Sequence, residues 1–146
     1  MQHKLSTSNP AFANELLAEV PGSLNDLAQA IYQRNIEKGF YEKEKNIGEM
    51  LCFIHSEVSE ALEADRNRSY CKMSQSEKNV LFGWTRDEDF VNDYKLKVKG
   101  TFEEEMADIL IRVLDMCAFK GIDIVAHVSA KIRYNQSREK YHGKKY

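Results

Sequence analysis

Residues 101–121, TFEEEMADILIRVLDMCAFKG, carry the reading on which the rest of the chain depends. Thr101 followed three residues later by Glu104 is a capping-box signature for a helix start. Lys120 in the last turn and Gly121 just beyond are the usual stop. Between them Phe102, Met106, Ile109, Leu110, Val113, Leu114 and Cys117 recur at helical spacing and form one apolar face, so the stretch predicts a helix over Thr101–Lys120. Glu105 and Asp108 do not lie opposite that face. At the angular step of a helix they fall about 60° apart along its edge, half-buried against a neighbouring element. Two carboxylates at the rim of a core need a physical reason.

The flanking sequence predicts further helices. Ser23 followed by Asp26 caps one running to about Lys38, with Leu24, Leu27, Ala28 and Ile31 inward and Gly39 as its stop. A second runs from about Lys43 to Arg66 on the stripe Ile47, Met50, Leu51, Ile54, Val58, Ala61 and Leu62. Residues 69–100 are irregular, with scattered aromatics and local runs of each charge, and read as a long connection holding one or two short helices. A last helix starts near Asp123 and carries Ile124, Val125, Val128 and Ile132 into the core. A short helical turn is expected around Phe12, Leu16, Leu17 and Val20, and the basic tail 142–146 is expected to fray.

Composition narrows the class. The chain has 146 residues, 30% of them charged, with two prolines and seven glycines, which suits one helical domain rather than a sandwich of short strands. A net charge of −2 gives no general attraction to nucleic acid or to an anionic membrane. No apolar run reaches membrane-spanning length, and the polar start MQHKLSTSNP lacks the apolar block of a signal peptide. Cys52, Cys71 and Cys117 are odd in number and widely spaced, which argues against a disulfide framework or a zinc cluster. The expected compartment is the reducing cytoplasm.

On the second helix Glu57 and Glu60 repeat the geometry of Glu105 and Asp108: three residues apart, at the edge of the stripe. If the two helices pack antiparallel, Glu-x-x-Glu and Glu-x-x-Asp face one point. Four carboxylates in a small volume must protonate or share a cation. Oxygen-only ligation suits Mg²⁺ first and Mn²⁺ second. The competing reading is two ordinary amphipathic helices whose rim acids form surface salt bridges. Glu60 and Glu63 make a second Glu-x-x-Glu, with Glu63 farther from the stripe edge. On the last helix Lys131, Asn135 and Arg138 share a face at i, i+4 and i+7, a grip suited to phosphate oxygens. Trp84, Tyr134 and Gln33 offer aromatic and amide surface, and each reads first as a packing or surface residue. His55 and His127 lack a second ligand at metal spacing.

The segments GEMLCFIHSEVSEALEA, TFEEEMADILIRVLDMCAFKGID and KIRYNQSREKYHGKK resemble the MazG-like nucleoside triphosphate pyrophosphohydrolases, in the all-α group that includes dimeric dUTPases and phosphoribosyl-ATP pyrophosphohydrolases. The resemblance implies an all-α antiparallel bundle completed by dimerisation, a homodimer or homotetramer, with residues 1–146 as one domain carrying an insertion at about 69–100. It makes Glu57, Glu60, Glu105 and Asp108 ligands of Mg²⁺, and Lys131, Asn135 and Arg138 the triphosphate-binding stretch. It implies hydrolysis of a nucleoside triphosphate to the monophosphate and pyrophosphate, with Glu57 or Glu60 orienting or deprotonating the attacking water. A related dUTPase or phosphoribosyl-ATP reaction, and a non-catalytic helical interaction module, are the alternatives. The long stretch between the two motifs leaves the nucleobase open.

Overall fold

The computed structural model describes residues 23–138. The helical turn expected around residues 12–20 and the tail 142–146 lie outside the described residues. Within them the chain is all-helical: α1 Leu24–Glu37, α2 Ile47–Arg66, α3 Gln75–Gly83, α4 Asp87–Lys97, α5 Phe102–Phe119 and α6 Ile124–Gln136, with no strand among the described residues. No helix there is long and apolar enough to cross a membrane.

Side-chain caps set most of the boundaries. Ser23, Asn46, Ser74, Thr101 and Asp123 each accept a backbone N–H from the first turn of the helix they open. Asn46 places the start of α2 at Ile47, later than the expected Lys43. The residues before it form a turn held by Tyr41, whose hydroxyl donates to Asp115 Oδ2 at 2.8 Å and whose ring packs on Tyr32 and Phe119. The capping box expected at Thr101 forms by half. Thr101 Oγ1 accepts the Glu104 N–H, but the Glu104 carboxylate takes the N–H of Gly100 and the hydroxyl of Tyr94. After α5 the left-handed conformation falls on Gly121 (φ 63°), while after α2 it falls on Arg68 (φ 54°), where a side chain resists it.

α5 is the central rod. Its most extensive packing is with α1 on one flank and α2 on the other, and α6 rests on α1. α2 and α5 run antiparallel: the Phe102 N–H bonds Ser69 O at 2.8 Å and Ser69 Oγ bonds Gly100 O at 2.7 Å, which ties the end of α2 to the start of α5. Against α1 the contact is apolar. Ala28, Leu114 and Ala118 form the buried cluster, with Leu27, Ile31, Tyr32 and Ile124 against it. Leu114 is only 1% exposed, a burial worth about 1.5–3 kcal/mol for a side chain of this size.

The apolar stripes are rotated from the orientation expected of them. On α2 the buried residues are Glu57, Ala61 and Ala64, whereas Leu51, Val58 and Leu62 are exposed. These three lie about 100–140° around the helix from Glu57, so α2 turns the acidic edge of its stripe toward α5. The same holds at the start of α5, where Glu105 is buried while Met106 and Leu110 are exposed. Val128 and Ile132 of α6, expected in the core, are also exposed. α6 is pinned at its first turn instead, where the Asn25 amide donates to Asp123 Oδ1 at 2.7 Å and accepts the Val125 N–H.

Residues 69–100 fold as two short helices anchored to the first turn of α5. Glu103 Oε2 accepts the Cys71 N–H at 2.7 Å, and Glu104 Oε1 accepts the Tyr94 hydroxyl at 2.8 Å. Burial and the Glu104 carboxylate together push the Tyr94 hydroxyl well above its usual range. Of three consecutive glutamates, two hold this segment and the third, Glu105, turns inward.

Candidate metal centre

Small residues let α2 and α5 approach closely. Ala61 and Ala64 are buried on α2 within two turns of Glu57, so the carboxylates enter the seam instead of splaying around bulky neighbours. Glu57 is 6% exposed and Glu105 7%, while Glu60 stays exposed at the mouth. One carboxylate oxygen from each of these three lies within 4.8 Å of the others. Three of the four acids expected from sequence are thus brought to one point, with Glu57 and Glu105 more deeply buried than a rim position implies.

Asp108 stands one turn further along α5, half-buried and outside the gathered triad, yet it shares the same field. Burial first, and then the negative charges of Glu57, Glu104 and Glu60, push the Asp108 carboxyl up from its ordinary value. Burial, followed by Glu60, Glu104, Asp108 and Glu57, does the same to Glu105. Both shifts record a cost of holding like charges together away from water. A hard divalent cation relieves that cost, and a set of carboxylate oxygens with no nitrogen or sulfur donor fits Mg²⁺ or Mn²⁺.

One cation of the chain already sits at this seam. Arg112, one turn after Asp108, donates from Nε and from a terminal guanidinium nitrogen to Glu57 Oε1, each at 2.5 Å. Its guanidinium carbon lies 5.2 Å from the centre of the Phe53 ring. Arg112 was not among the site residues expected from sequence. The available signal was its i+4 spacing from Asp108, which places both on one helix face. Beside the acids a cleft of about 480 Å³ opens, lined among others by Asn35, Tyr41, Lys45, Phe53, Asp108 and Arg112. Its polar and aromatic lining comes from α1, the turn after it, α2 and α5.

The remaining candidates lie elsewhere. Lys131 and Asn135 belong to α6, which packs on α1, whereas the acids lie between α2 and α5. Lys131 Nζ and the Arg138 guanidinium stand over the Tyr134 ring at 5.0 and 5.7 Å, so the three side chains group on their own helix end. The Trp84 indole donates to Asp93, and the Gln33 amide donates to Glu37. Comparisons with protein-family models, with curated proteins and with solved structures return no match.

Proposed function

We propose that this chain is a Mg²⁺-dependent nucleoside triphosphate pyrophosphohydrolase of the MazG-like kind. The observation that carries the reading is the convergence of Glu57, Glu60 and Glu105 from two antiparallel helices onto one point. Glu57, Glu60, Glu105 and Asp108 hold the ion, with Mn²⁺ as a substitute. When bound, Mg²⁺ supplies charge neutralisation on phosphate oxygens and a lowered pKa for water.

The chain's own groups do the rest. Glu57 or Glu60 orients the attacking water and accepts its proton. Attack at the α-phosphorus breaks the bond to the bridging oxygen, releasing pyrophosphate and leaving a nucleoside monophosphate. Lys131, Asn135 and Arg138 stand away from the acids of their own protomer, and are proposed to neutralise the departing charge at the centre of a second copy. The cleft beside Asp108 has room for the nucleoside, offering the Tyr41 and Phe53 rings together with the Asn35 amide.

The proposal includes a second copy of the chain. In an antiparallel pair, the exposed residues Leu51, Val58, Leu62, Met106 and Leu110 fall on the same side of α2 and α5, an apolar face suited to burial between protomers. Dimerisation extends the bundle and brings further phosphate-binding cations toward each acidic centre. A homotetramer of two such dimers joins them through a different surface.

The test is release of pyrophosphate from a panel of ordinary and modified nucleoside triphosphates with Mg²⁺. Turnover is expected on at least one, and Glu105→Gln is expected to lower it by about 100-fold or more while the helical circular dichroism is kept. Absence of turnover at high protein concentration across the panel favours a non-catalytic helical module. An unchanged rate in Glu105→Gln removes the acidic centre from the mechanism.

A further inference from the structure

Arg112 does more than neutralise a buried acid. We propose that it is the resident counter-cation of the acidic centre: it occupies Glu57 in the metal-free chain, yields that carboxylate to the divalent ion, and then serves the anionic end of the ligand in the adjoining cleft. The inference rests on the metal-binding reading given above and adds a ligand-binding residue to it.

Four observations point this way. Both donors converge on one oxygen, Glu57 Oε1, so the pair leaves the other carboxylate oxygen unused. The two partners are unequal in burial: the Glu57 side chain is 7% exposed and that of Arg112 43%. Solvent at the guanidinium weakens its hold on Glu57 and spares the cost of dehydrating it. Arg112 thus sits at the lip, able to leave without opening the fold. Its guanidinium already lies over the Phe53 ring, and Arg112, Phe53 and Asp108 all border the same cleft. The side chain therefore spans the two volumes that metal and ligand would fill.

The charge balance makes the exchange directional. A divalent ion at Glu57, Glu60 and Glu105 brings two positive charges to a seam that holds one. The metal and guanidinium repel at short range and compete for the same carboxylate, so loading the metal loosens Arg112 from Glu57. A flexible, always-charged fork released at the mouth of a cleft is suited to phosphate oxygens, which it can bind in pairs. Metal binding would thereby prepare the mouth of the cleft for the phosphate end of the ligand whose nucleoside the cleft holds.

The experiment uses full-length protein, with Mn²⁺ titrated first without any nucleotide, followed by calorimetry or electron paramagnetic resonance. Inorganic triphosphate is titrated second into the Mn²⁺-loaded protein. Arg112→Gln is expected to bind Mn²⁺ about fivefold tighter or more, because a competing cation is gone. The same variant is expected to bind inorganic triphosphate about tenfold weaker or more. Opposite signs on the two affinities are the signature, since a purely structural residue would weaken both.

Unchanged or weaker Mn²⁺ binding in a folded Arg112→Gln overturns the counter-cation role. Unchanged triphosphate affinity overturns the transfer to the ligand. Where Arg112→Gln fails to fold, Arg112→Met replaces it: it removes the charge and keeps an unbranched stem against the Phe53 ring. The same gain in Mn²⁺ affinity is expected there, and its absence again overturns the proposal. Wild-type and variant chains that both ignore Mn²⁺ overturn the underlying metal reading instead.

Discussion

The two flanks of α5 are built on opposite principles. Against α1 the seam is dry, with Ala28, Leu114 and Ala118 excluding water. Against α2 the same helix buries Glu105 opposite Glu57, with Arg112 bonded to Glu57. One flank gains stability from apolar burial. The other gives stability up, because carboxylates held close together away from water repel. The contrast teaches that α5 is anchored by one side so that the other can be held under electrostatic strain.

That contrast is most directly broken at the dry flank. Leu114→Ala is expected to cost about 2–5 kcal/mol, the range for emptying a well-packed leucine site, with thermal or urea unfolding as the readout. A cost under about 1 kcal/mol would mean that α1 does not anchor α5. At the wet flank the expected sign reverses. Glu105→Gln removes one buried like charge and should stabilise the metal-free protein by about 1 kcal/mol while abolishing turnover. Destabilisation would show that the seam is a structural network and not a set of metal ligands.

The pH dependence sharpens the same point. The folded-state carboxyls of Glu105 and Asp108 lie above their unfolded values. Between the two values the folded chain keeps protons that the unfolded chain has released, so the stability they contribute is present at low pH and is lost as pH rises through the folded-state values. Asp93 and Glu77 are shifted downward by their hydrogen bonds and act in the opposite sense, at lower pH. Metal-free protein compared in urea at about pH 5 and about pH 8 is expected to lose stability at the higher pH. Mg²⁺ should restore it, and Glu105→Gln should show a shallower loss. The smallest effect belongs to the turn that closes the wet seam. Arg68→Gly relieves a left-handed backbone conformation and should add about 0.5 kcal/mol, seen as a small rise in Tm.

Much of this was legible in the linear chain, for local reasons. The helix that begins after Thr101 was marked by a cap and a stop within twenty residues of each other. Ser23 and Asp123 marked two others in the same way. The four acids were conspicuous because they interrupt a periodic apolar pattern at its edge. Arg112 was not conspicuous, since a basic residue beside an apolar stripe is ordinary until its partner, 55 residues earlier, is known. α2 starts at Ile47 and not at the expected Lys43, because good helix formers at 43–45 hide the boundary that Asn46 and the Tyr41–Asp115 contact set.

The sequence by itself therefore determined that the described residues are helical, both ends of α1 and α5, the end of α2 and the start of α6, and the acids along the edges of α2 and α5, because caps and 3.6-residue periodicity act within a few turns. Only the tertiary structure decided how each apolar arc is rotated against its neighbours. Periodicity defines an arc but not the direction it faces, which depends on packing across the whole chain. That rotation is what buries Glu57 and Glu105 while leaving Val58 and Leu110 outside, and what gives Glu57 its guanidinium.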